Sequence, residues 1–374
     1  MTGSRILQPY VIILLFCLCF APGLSMAQTP KEMPTLAAEN MGVTLDPAWK
    51  PLTRRLVADG FEQANMETLF ARLGPNSYTP AYMSLKITEL YSVPGIGINR
   101  EKAPSPVLPK GYTPPVSNNS VGAVLALIHE HVATLADIEE KYSVQASIIL
   151  AILLVETGLG LNLGKDSALR ALASIAATHT PEMLASMGNS RQKARVNPAS
   201  LAKTLQERSD WAYVELKALI RHAQQLDRDP VGIPSSIYGA VGIGQFMPSN
   251  IEIFGVDGTN DGSIDFFNLI DVMYSVAAYL ENNGWRNAST DAQRHRVILT
   301  YNKDNLYAST VLATSNRLEN ALKGRGSISP TSDAIVGGYN KNPSARLDPS
   351  LRRLRSVPPA SKVNFLGDYQ QILQ

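Results

Sequence analysis

The chain has 374 residues, 45% of them hydrophobic and 18% charged, which is the composition of an ordinary globular protein. Its 34 Lys and Arg against 32 Asp and Glu give a net charge of +2, which argues against a dedicated nucleic-acid-binding protein. Both cysteines, Cys17 and Cys19, lie within the first 27 residues. The rest of the chain therefore has no thiol for a disulfide, a thiolate metal site or a cysteine nucleophile.

The first residues are typical of an export signal. Arg5 gives a basic start, residues 11–21 are apolar, and Ser25 and Ala27 are small residues at the positions that signal peptidase reads. We predict a signal peptide over residues 1–27 and a protein located in the periplasm. An uncleaved anchor in the inner membrane is the alternative, although the apolar run is short for a span of about 20 residues.

Residues 28–118 are predicted to form an N-terminal helical segment followed by a Pro/Gly-rich linker. Apolar residues at helical spacing between positions 49 and 73 predict two short helices interrupted near Gly60. Prolines and glycines recur between positions 94 and 115, which indicates a linker or a wrapping arm.

Residues 119–323 are predicted to form one helical domain that begins with a long amphipathic helix. One face of that helix carries apolar residues at helical spacing. They are Val124, Leu125, Ile128, Val132, Leu135 and Ile138.

A second helix, apolar on all sides, places a glutamate at its end. Residues 148–155 are all Ile, Leu, Ala or Val, after Ser143 as the predicted N-cap and before Thr157 and Gly158 as the end. Desolvation and the negative helix pole should both raise the pKa of Glu156. A carboxyl group that keeps its proton near neutral pH can act as a general acid on a glycosidic oxygen, whereas the alternative is a solvated glutamate at a helix end.

Further helices follow along the chain. We predict helices over residues 168–177, 211–224 and 266–284, and one or two more over residues 294–318. The polar residues 179–207 are predicted to be a surface insertion, and the Gly- and aromatic-rich residues 234–250 a structured loop. Residues 324–374, rich in Pro, Ser and Arg, are predicted to be a disordered tail.

Residues 257–268, hereafter the 257–268 loop, resemble a twelve-residue calcium loop. Asp257, Thr259, Asp261, Ser263 and Asp265 place side-chain oxygens at ligand positions, but Asn268 stands where a bidentate carboxylate is expected. Two interpretations stay open: a structural Ca²⁺ site of reduced affinity, or an Asp/Gly turn held by its own hydrogen bonds.

Three motifs together resemble the lytic murein transglycosylases of the membrane-bound B type. They are Val155-Glu156-Thr157, the string Gly-Ala-Val-Gly-Ile-Gly-Gln-Phe-Met-Pro-Ser over residues 239–249, and Tyr301-Asn302. The resemblance covers roughly residues 49–318. It implies a goose-lysozyme-like helical catalytic domain, so the expected fold class is mainly α with an N-terminal helical extension and a disordered C-terminal tail.

The resemblance also implies an activity and a site. The family cleaves the β-1,4 bond between N-acetylmuramic acid and N-acetylglucosamine and forms 1,6-anhydromuramoyl ends, with one glutamate as acid and base. Matched by position, Glu156 is the catalytic residue. The matched substrate-binding residues are Ser236, Gln245, Tyr301 and Tyr307, with Arg208 and Trp211 as weaker contacts to the glycan.

The expected partners are peptidoglycan glycan strands, with no nucleic acid, a monomeric protein and unspecified envelope proteins. No cofactor is expected for the chemistry. Two other functions stay open: a hydrolytic muramidase on the same scaffold, and a non-catalytic peptidoglycan-binding protein of the envelope.

Overall fold

The computed structural model describes residues 45–92, 105–108, 111, 112, 114, 116–184 and 198–324, and the structural statements below refer to these residues. All of them lie within one compact unit. The predicted signal, most of the linker and the tail beyond residue 324 lie outside the described residues.

The architecture is mainly helical, as predicted. Two strands pair antiparallel, Asp166 with Ser235 and Ser167 with Pro234. The elements are α1 (Lys50–Ala58), α2 (Gln63–Ala71), α3 (Ala81–Ser92), α4 (Asn118–Glu130), α5 (Val132–Tyr142), α6 (Ala146–Thr157), β1 (Asp166–Ser167), α7 (Ala168–Ala177), α8 (Pro198–Gln225), β2 (Pro234–Ser235), α9 (Pro248–Phe254), α10 (Leu269–Asn282), α11 (Asp291–Tyr301) and α12 (Asn305–Gly324).

Helix α6 runs through the middle of the core. Its residues from 147 to 153 are all buried, and it packs against α4, α5, α10 and α12. The prediction of Ser143 as its N-cap is wrong. Ser143 ends α5 instead, with φ 58° and its N–H bonded to the carbonyl of Glu139, so α6 begins at Ala146 after Gln145. The predicted end is confirmed, because Gly158 follows Thr157 in the left-handed conformation.

The predicted long amphipathic helix is two helices. Helices α4 and α5 meet at His131 and are bent by 83° relative to each other. Val132, predicted to be on the apolar face, is 62% exposed, because the bend turns the first residue of α5 away from the core. Val124 and Ile138 are fully buried, as predicted. Among the described helices, none is by itself long and apolar enough to cross a membrane. Helices α4 and α5 reach the length and apolar composition of a span only when they are taken together.

The predicted insertion over residues 179–207 is partly helix, since α8 already begins at Pro198. The buried hydroxyl of Ser209 donates to the carbonyl of Ala176 at 2.6 Å and joins α8 to α7. The predicted helix over residues 266–284 begins later, at Leu269, because the Asn268 side chain accepts the N–H of Ile270 as an N-cap.

Candidate functional site

Glu156 lies in the last turn of α6, and the residue as a whole is half-buried while its carboxyl group is desolvated. Burial raises the pKa of its carboxyl group from the ordinary value of 4.5 to about 7, and the Tyr307 hydroxyl opposes this rise. Desolvation, one of the two causes expected from the sequence, accounts for the rise, and the contribution of the helix pole stays a prediction. A carboxyl group with this pKa can both give and take a proton near neutral pH.

Thr157 ties the end of α6 to the glycine-rich loop. Its buried hydroxyl donates to the carbonyl of Ile243 at 2.7 Å and accepts the N–H of Gly160 at 2.9 Å. Because Thr157 follows Glu156 directly, these bonds place the acid beside the loop that contains Gln245.

Residues 242–245, the Gln245 turn, are closed by a short ladder. Val241 and Phe246 exchange backbone hydrogen bonds of 2.9 and 3.0 Å on either side of the turn. Gln245 has φ 50°, and its amide donates to the carbonyl of Gly242 at 3.0 Å. Gly242 has φ 75°, and a Cβ there would lie 2.3 Å from the carbonyl oxygen of Phe266. Only glycine fits this position without moving the backbone.

Residues 236–240, the Ser236 turn, connect Ser235 to Val241. These two residues form an antiparallel bridge, and Val241 also pairs with Phe246 across the Gln245 turn. The Ser236 hydroxyl accepts the N–H groups of Tyr238 and Ala240 at 3.3 and 3.2 Å. In this structure Ser236 therefore shapes its own turn. The predicted interaction of Ser236 with the acid and substrate stays a prediction.

Two tyrosines border the acid from the C-terminal helices. The Tyr301 hydroxyl donates to the carbonyl of Gly244 at 2.5 Å, and its ring lies 5.3 Å from that of Phe246. Tyr307 is only 4% exposed and faces Glu156. Burial and the nearby Glu156 charge hold the pKa of both hydroxyls well above the usual range, so both are neutral donors.

The Tyr307 hydroxyl has no hydrogen-bond partner of standard geometry within the described structure. It is close enough to Glu156 to lower the pKa of that carboxyl group, but it is not placed as an ordinary donor to it. Buried hydroxyl groups in native proteins are nearly always bonded. The buried Tyr307 hydroxyl therefore has the Glu156 carboxyl group as its expected partner, and its predicted contact with the glycan stays a prediction.

Arg208 and Trp211 lie on α8, away from the contacts of Glu156 just described. The Nε atom of Arg208 is buried and has no hydrogen-bond partner among the described residues. The ammonium group of Lys86 lies 5.6 Å from the Trp211 ring and 3.8 Å from the ring of Tyr238 in the Ser236 turn. Trp211 is thus connected to the Ser236 turn through Lys86, and its role in glycan binding stays a prediction.

The 257–268 loop is held by its own polar groups. Asp257 accepts the Thr259 hydroxyl at 3.2 Å, and Asp261 accepts the Ser263 hydroxyl at 2.6 Å. Asn268 caps α10, so its oxygen is already bonded. In the described part of the chain, no group of three or more His, Cys, Asp or Glu is placed to hold a metal ion. These bonds are those of an Asp/Gly turn, and the calcium site stays a prediction.

Two buried carboxylates were not predicted. Asp271 on α10 is fully buried and accepts three backbone N–H groups of the 257–268 loop at 2.8–3.1 Å, those of Gly258, Thr259 and Asp265. Its carboxylate therefore holds the loop against α10. Glu215 on α8 is 4% exposed. The available signal was an acid on the apolar face of an amphipathic helix pattern, where buried acids are rare unless paired.

Comparison with known proteins agrees with these features. Residues 44–294 match the family model described as the transglycosylase SLT domain. The chain is 30% identical over 146 residues to membrane-bound lytic murein transglycosylase B of Escherichia coli strain K12, which covers 39% of this chain. The matched stretch spans about a third, 33%, of that curated relative.

Two solved structures are similar in fold. The E. coli lytic transglycosylase Slt35 in complex with calcium has a TM-score of 0.54 at 18% identity, covering 75% of this chain and 96% of that chain. SltB3 from Pseudomonas aeruginosa in complex with NAG-NAM-pentapeptide has a TM-score of 0.51 at 18% identity, covering 72% and 79%. These likenesses confirm the prediction of a mainly α, lysozyme-like fold.

Proposed function

Because the chain belongs to the transglycosylase SLT domain family, we propose that it is a lytic murein transglycosylase. It cleaves the β-1,4 bond between N-acetylmuramic acid and N-acetylglucosamine in peptidoglycan and leaves 1,6-anhydromuramoyl ends. The observation that carries this proposal is a carboxyl group with a pKa of about 7, that of Glu156, beside the Gln245 turn.

In the first half of the reaction, protonated Glu156 donates its proton to the oxygen that bridges the two sugars. The bond from C1 of the muramoyl unit to that oxygen breaks, and the bonding electrons leave with the oxygen. The muramoyl N-acetyl group or an oxocarbenium-like state carries the positive charge that develops at C1. A raised pKa supports this step, because an acid of ordinary pKa would have lost its proton at neutral pH.

In the second half, the Glu156 carboxylate accepts the proton of the muramoyl C6 hydroxyl. The hydroxyl oxygen attacks C1 and closes the anhydro ring, so no water is consumed and Glu156 is protonated again. Most glycosidases divide acid and nucleophile or base between two carboxylates. One suffices here, because the proton that Glu156 gives to the bridging oxygen returns from the C6 hydroxyl.

The neighbouring polar groups bind and orient the glycan. Gln245 and Ser236 present their turns to the sugar chain, and the buried Tyr307 hydroxyl faces the acid. Tyr301 fixes the Gln245 turn through its bond to Gly244. Preorganised donors of this kind typically contribute several kcal/mol in a dry site. Arg208 and Trp211 act as weaker contacts further along the strand.

The substrate and location follow the same proposal. A fold neighbour bound to NAG-NAM-pentapeptide supports peptidoglycan as the polymer, and the relative named membrane-bound supports the cell envelope as the location. The export signal predicted over residues 1–27 makes this location the periplasm. The chemistry needs no cofactor.

Calcium plays at most a minor structural role. A calcium complex of a fold neighbour is compatible with a site in the 257–268 loop. Asp257 and Asp261 are the carboxylates there that could hold the ion, because the third, Asp265, is paired with Arg228 at 3.1 Å and Asn268 is bonded as a helix cap. We therefore propose weak binding, in the millimolar range known for low-affinity calcium loops.

Product analysis tests the function. The purified protein is incubated with sacculi, and the soluble products are identified by mass spectrometry. Products ending in 1,6-anhydromuramic acid support the proposal. Reducing muramic ends would instead identify a hydrolytic muramidase, and an absence of products with retained sacculus binding would identify a non-catalytic binding protein.

A further inference from the structure

Glu215, a buried carboxylate outside the predicted site, holds the segment that follows the Gln245 turn. Its Oε2 accepts the N–H of Ser249 and its Oε1 accepts the Ser249 hydroxyl, both at 2.8 Å. The two atoms of Ser249 thus bind both oxygens of one carboxylate that lies 34 positions away in the sequence. Charge-assisted bonds with two contact points fix orientation as well as distance.

The position of Glu215 is costly to maintain. The residue is only 4% exposed, and burial and, less strongly, the nearby Glu252 charge raise the pKa of its carboxyl group above the ordinary value. The two Ser249 bonds and, less strongly, a bond from the Trp211 side chain oppose the rise. A buried acid normally destabilises a fold unless its partners compensate. The Ser249 bonds are the larger part of that compensation, beside the bond from Trp211, so they are expected to be well formed whenever this part of the protein is folded.

The path from Ser249 to the Gln245 turn is short and stiff. Phe246 is buried and bonded to Val241, so the turn cannot shift without it. Pro248 fixes its own φ angle and restricts Met247 before it. The four-residue step from Gln245 to Ser249 therefore transmits a displacement at Ser249 to the turn that lies beside Glu156.

We infer that Glu215 is a positioning residue for the proposed reaction: by holding Ser249 it fixes the Gln245 turn relative to α8 and hence to the acid. This inference rests on the proposed function for its kinetic consequence. In this role Glu215 touches neither substrate nor reacting atoms. Misplacement of groups around a reacting centre by about 1 Å can lower a rate by about 100-fold, so a small relaxation is sufficient for a measurable effect.

The chain offers a matched control on the same two helices. Arg221 on α8 binds Glu252 on α9 through two bonds of 2.7 and 2.9 Å. This ion pair also joins α8 to α9, but three residues after Ser249. Its side chains are 43% and 38% exposed. Its removal loosens the same helix pair without releasing Ser249.

The experiment compares Glu215→Gln with Arg221→Gln in the full chain, at a temperature well below both unfolding midpoints. We expect Glu215→Gln to lower kcat/KM on glycan strands at least tenfold and to speed hydrogen exchange at the Ser249 amide. The fall of kcat/KM with rising pH should stay centred near pH 7 in this variant, because Glu156 is unchanged. Arg221→Gln should change kcat/KM less than twofold. Equal effects of the two variants, or a shifted alkaline limb, would overturn the inference.

Two further readouts keep the test decisive. If Glu215→Gln does not fold, Ser249→Ala removes one of the two bonds and should lower kcat/KM at least threefold; an unchanged value would overturn the inference. The exchange measurement does not depend on turnover. If the wild-type protein produces no anhydro ends, the proposed function fails, while unchanged exchange at Ser249 in Glu215→Gln separately overturns the positioning role.

Discussion

Substitution of Glu156 by Gln should abolish turnover and at the same time stabilise the fold at alkaline pH. The glutamine keeps the shape of the protonated acid but cannot ionise. In the wild type, burial raises the pKa of Glu156 to about 7, against 4.5 in the unfolded chain. The difference corresponds to roughly 3 kcal/mol of unfolding free energy that the wild type loses as pH rises from about 4.5 to 7.

The variant is the more stable protein only at high pH, because the pKa of Glu156 is higher in the folded state than in the unfolded chain. Below pH 4.5 both states carry a protonated Glu156, so wild type and variant should be equally stable. Above pH 7 the folded wild type holds a buried carboxylate and the variant does not. At pH 8 the variant should therefore unfold at a temperature roughly 6–12 °C higher.

Thermal unfolding at pH 4 and pH 8, together with mass spectrometry of sacculus digests, measures both effects. Glu140→Gln, on an exposed position of α5, is the matched control and should change neither stability nor turnover. Retained turnover in Glu156→Gln would remove this residue as the catalytic acid. Equal unfolding temperatures of wild type and Glu156→Gln at pH 8 would refute the argument that burial holds its proton.

Four further outcomes are expected. Initial rates on glycan strands should fall as pH rises through about 7, because cleavage of the glycosidic bond needs protonated Glu156. An initial rate that does not change up to pH 9 would contradict this. Tyr301→Phe removes the hydrogen bond to the turn carbonyl and should cost about 1–3 kcal/mol in urea unfolding, with a lower kcat/KM. Gly242→Ala should cost on the order of 3 kcal/mol through a 2.3 Å backbone clash at positive φ, whereas Gly122→Ala in α4, with open space around it, should be neutral or stabilising; equal yields and midpoints would contradict this. Addition of 1 mM CaCl₂ in place of EDTA should stabilise the fold by only about 0.4 kcal/mol for a Kd near 1 mM in the 257–268 loop, and a rise above about 5 °C in Tm would show a tight site instead.

The sequence was most informative where one physical effect dominated. The wholly apolar run before Glu156 allows only a buried helix, and it therefore predicted both the element and the raised pKa. The helix over residues 168–177 was predicted with the bounds that the structure has, because its apolar pattern is interrupted on both sides by polar turns.

The sequence was least informative where a residue serves a partner distant in the chain. Ser143 has the chemistry of an N-cap, but its left-handed backbone ends the preceding helix. The bend at His131 leaves no trace in the apolar spacing of α4 and α5. Glu215 and Asp271 stand on apolar helix faces in the sequence, but their partners, Ser249 and the 257–268 loop, are known only once the fold brings them together.

A titration of the Glu156 carboxyl group itself tests the account most directly. Protein labelled with ¹³C at the glutamate carboxyl carbons is titrated by NMR, and the spectrum of Glu156→Gln identifies the resonance of Glu156 by its absence. The account predicts that this resonance titrates near pH 7. Titration near pH 4.3, the value of an ordinary solvated glutamate, would contradict it.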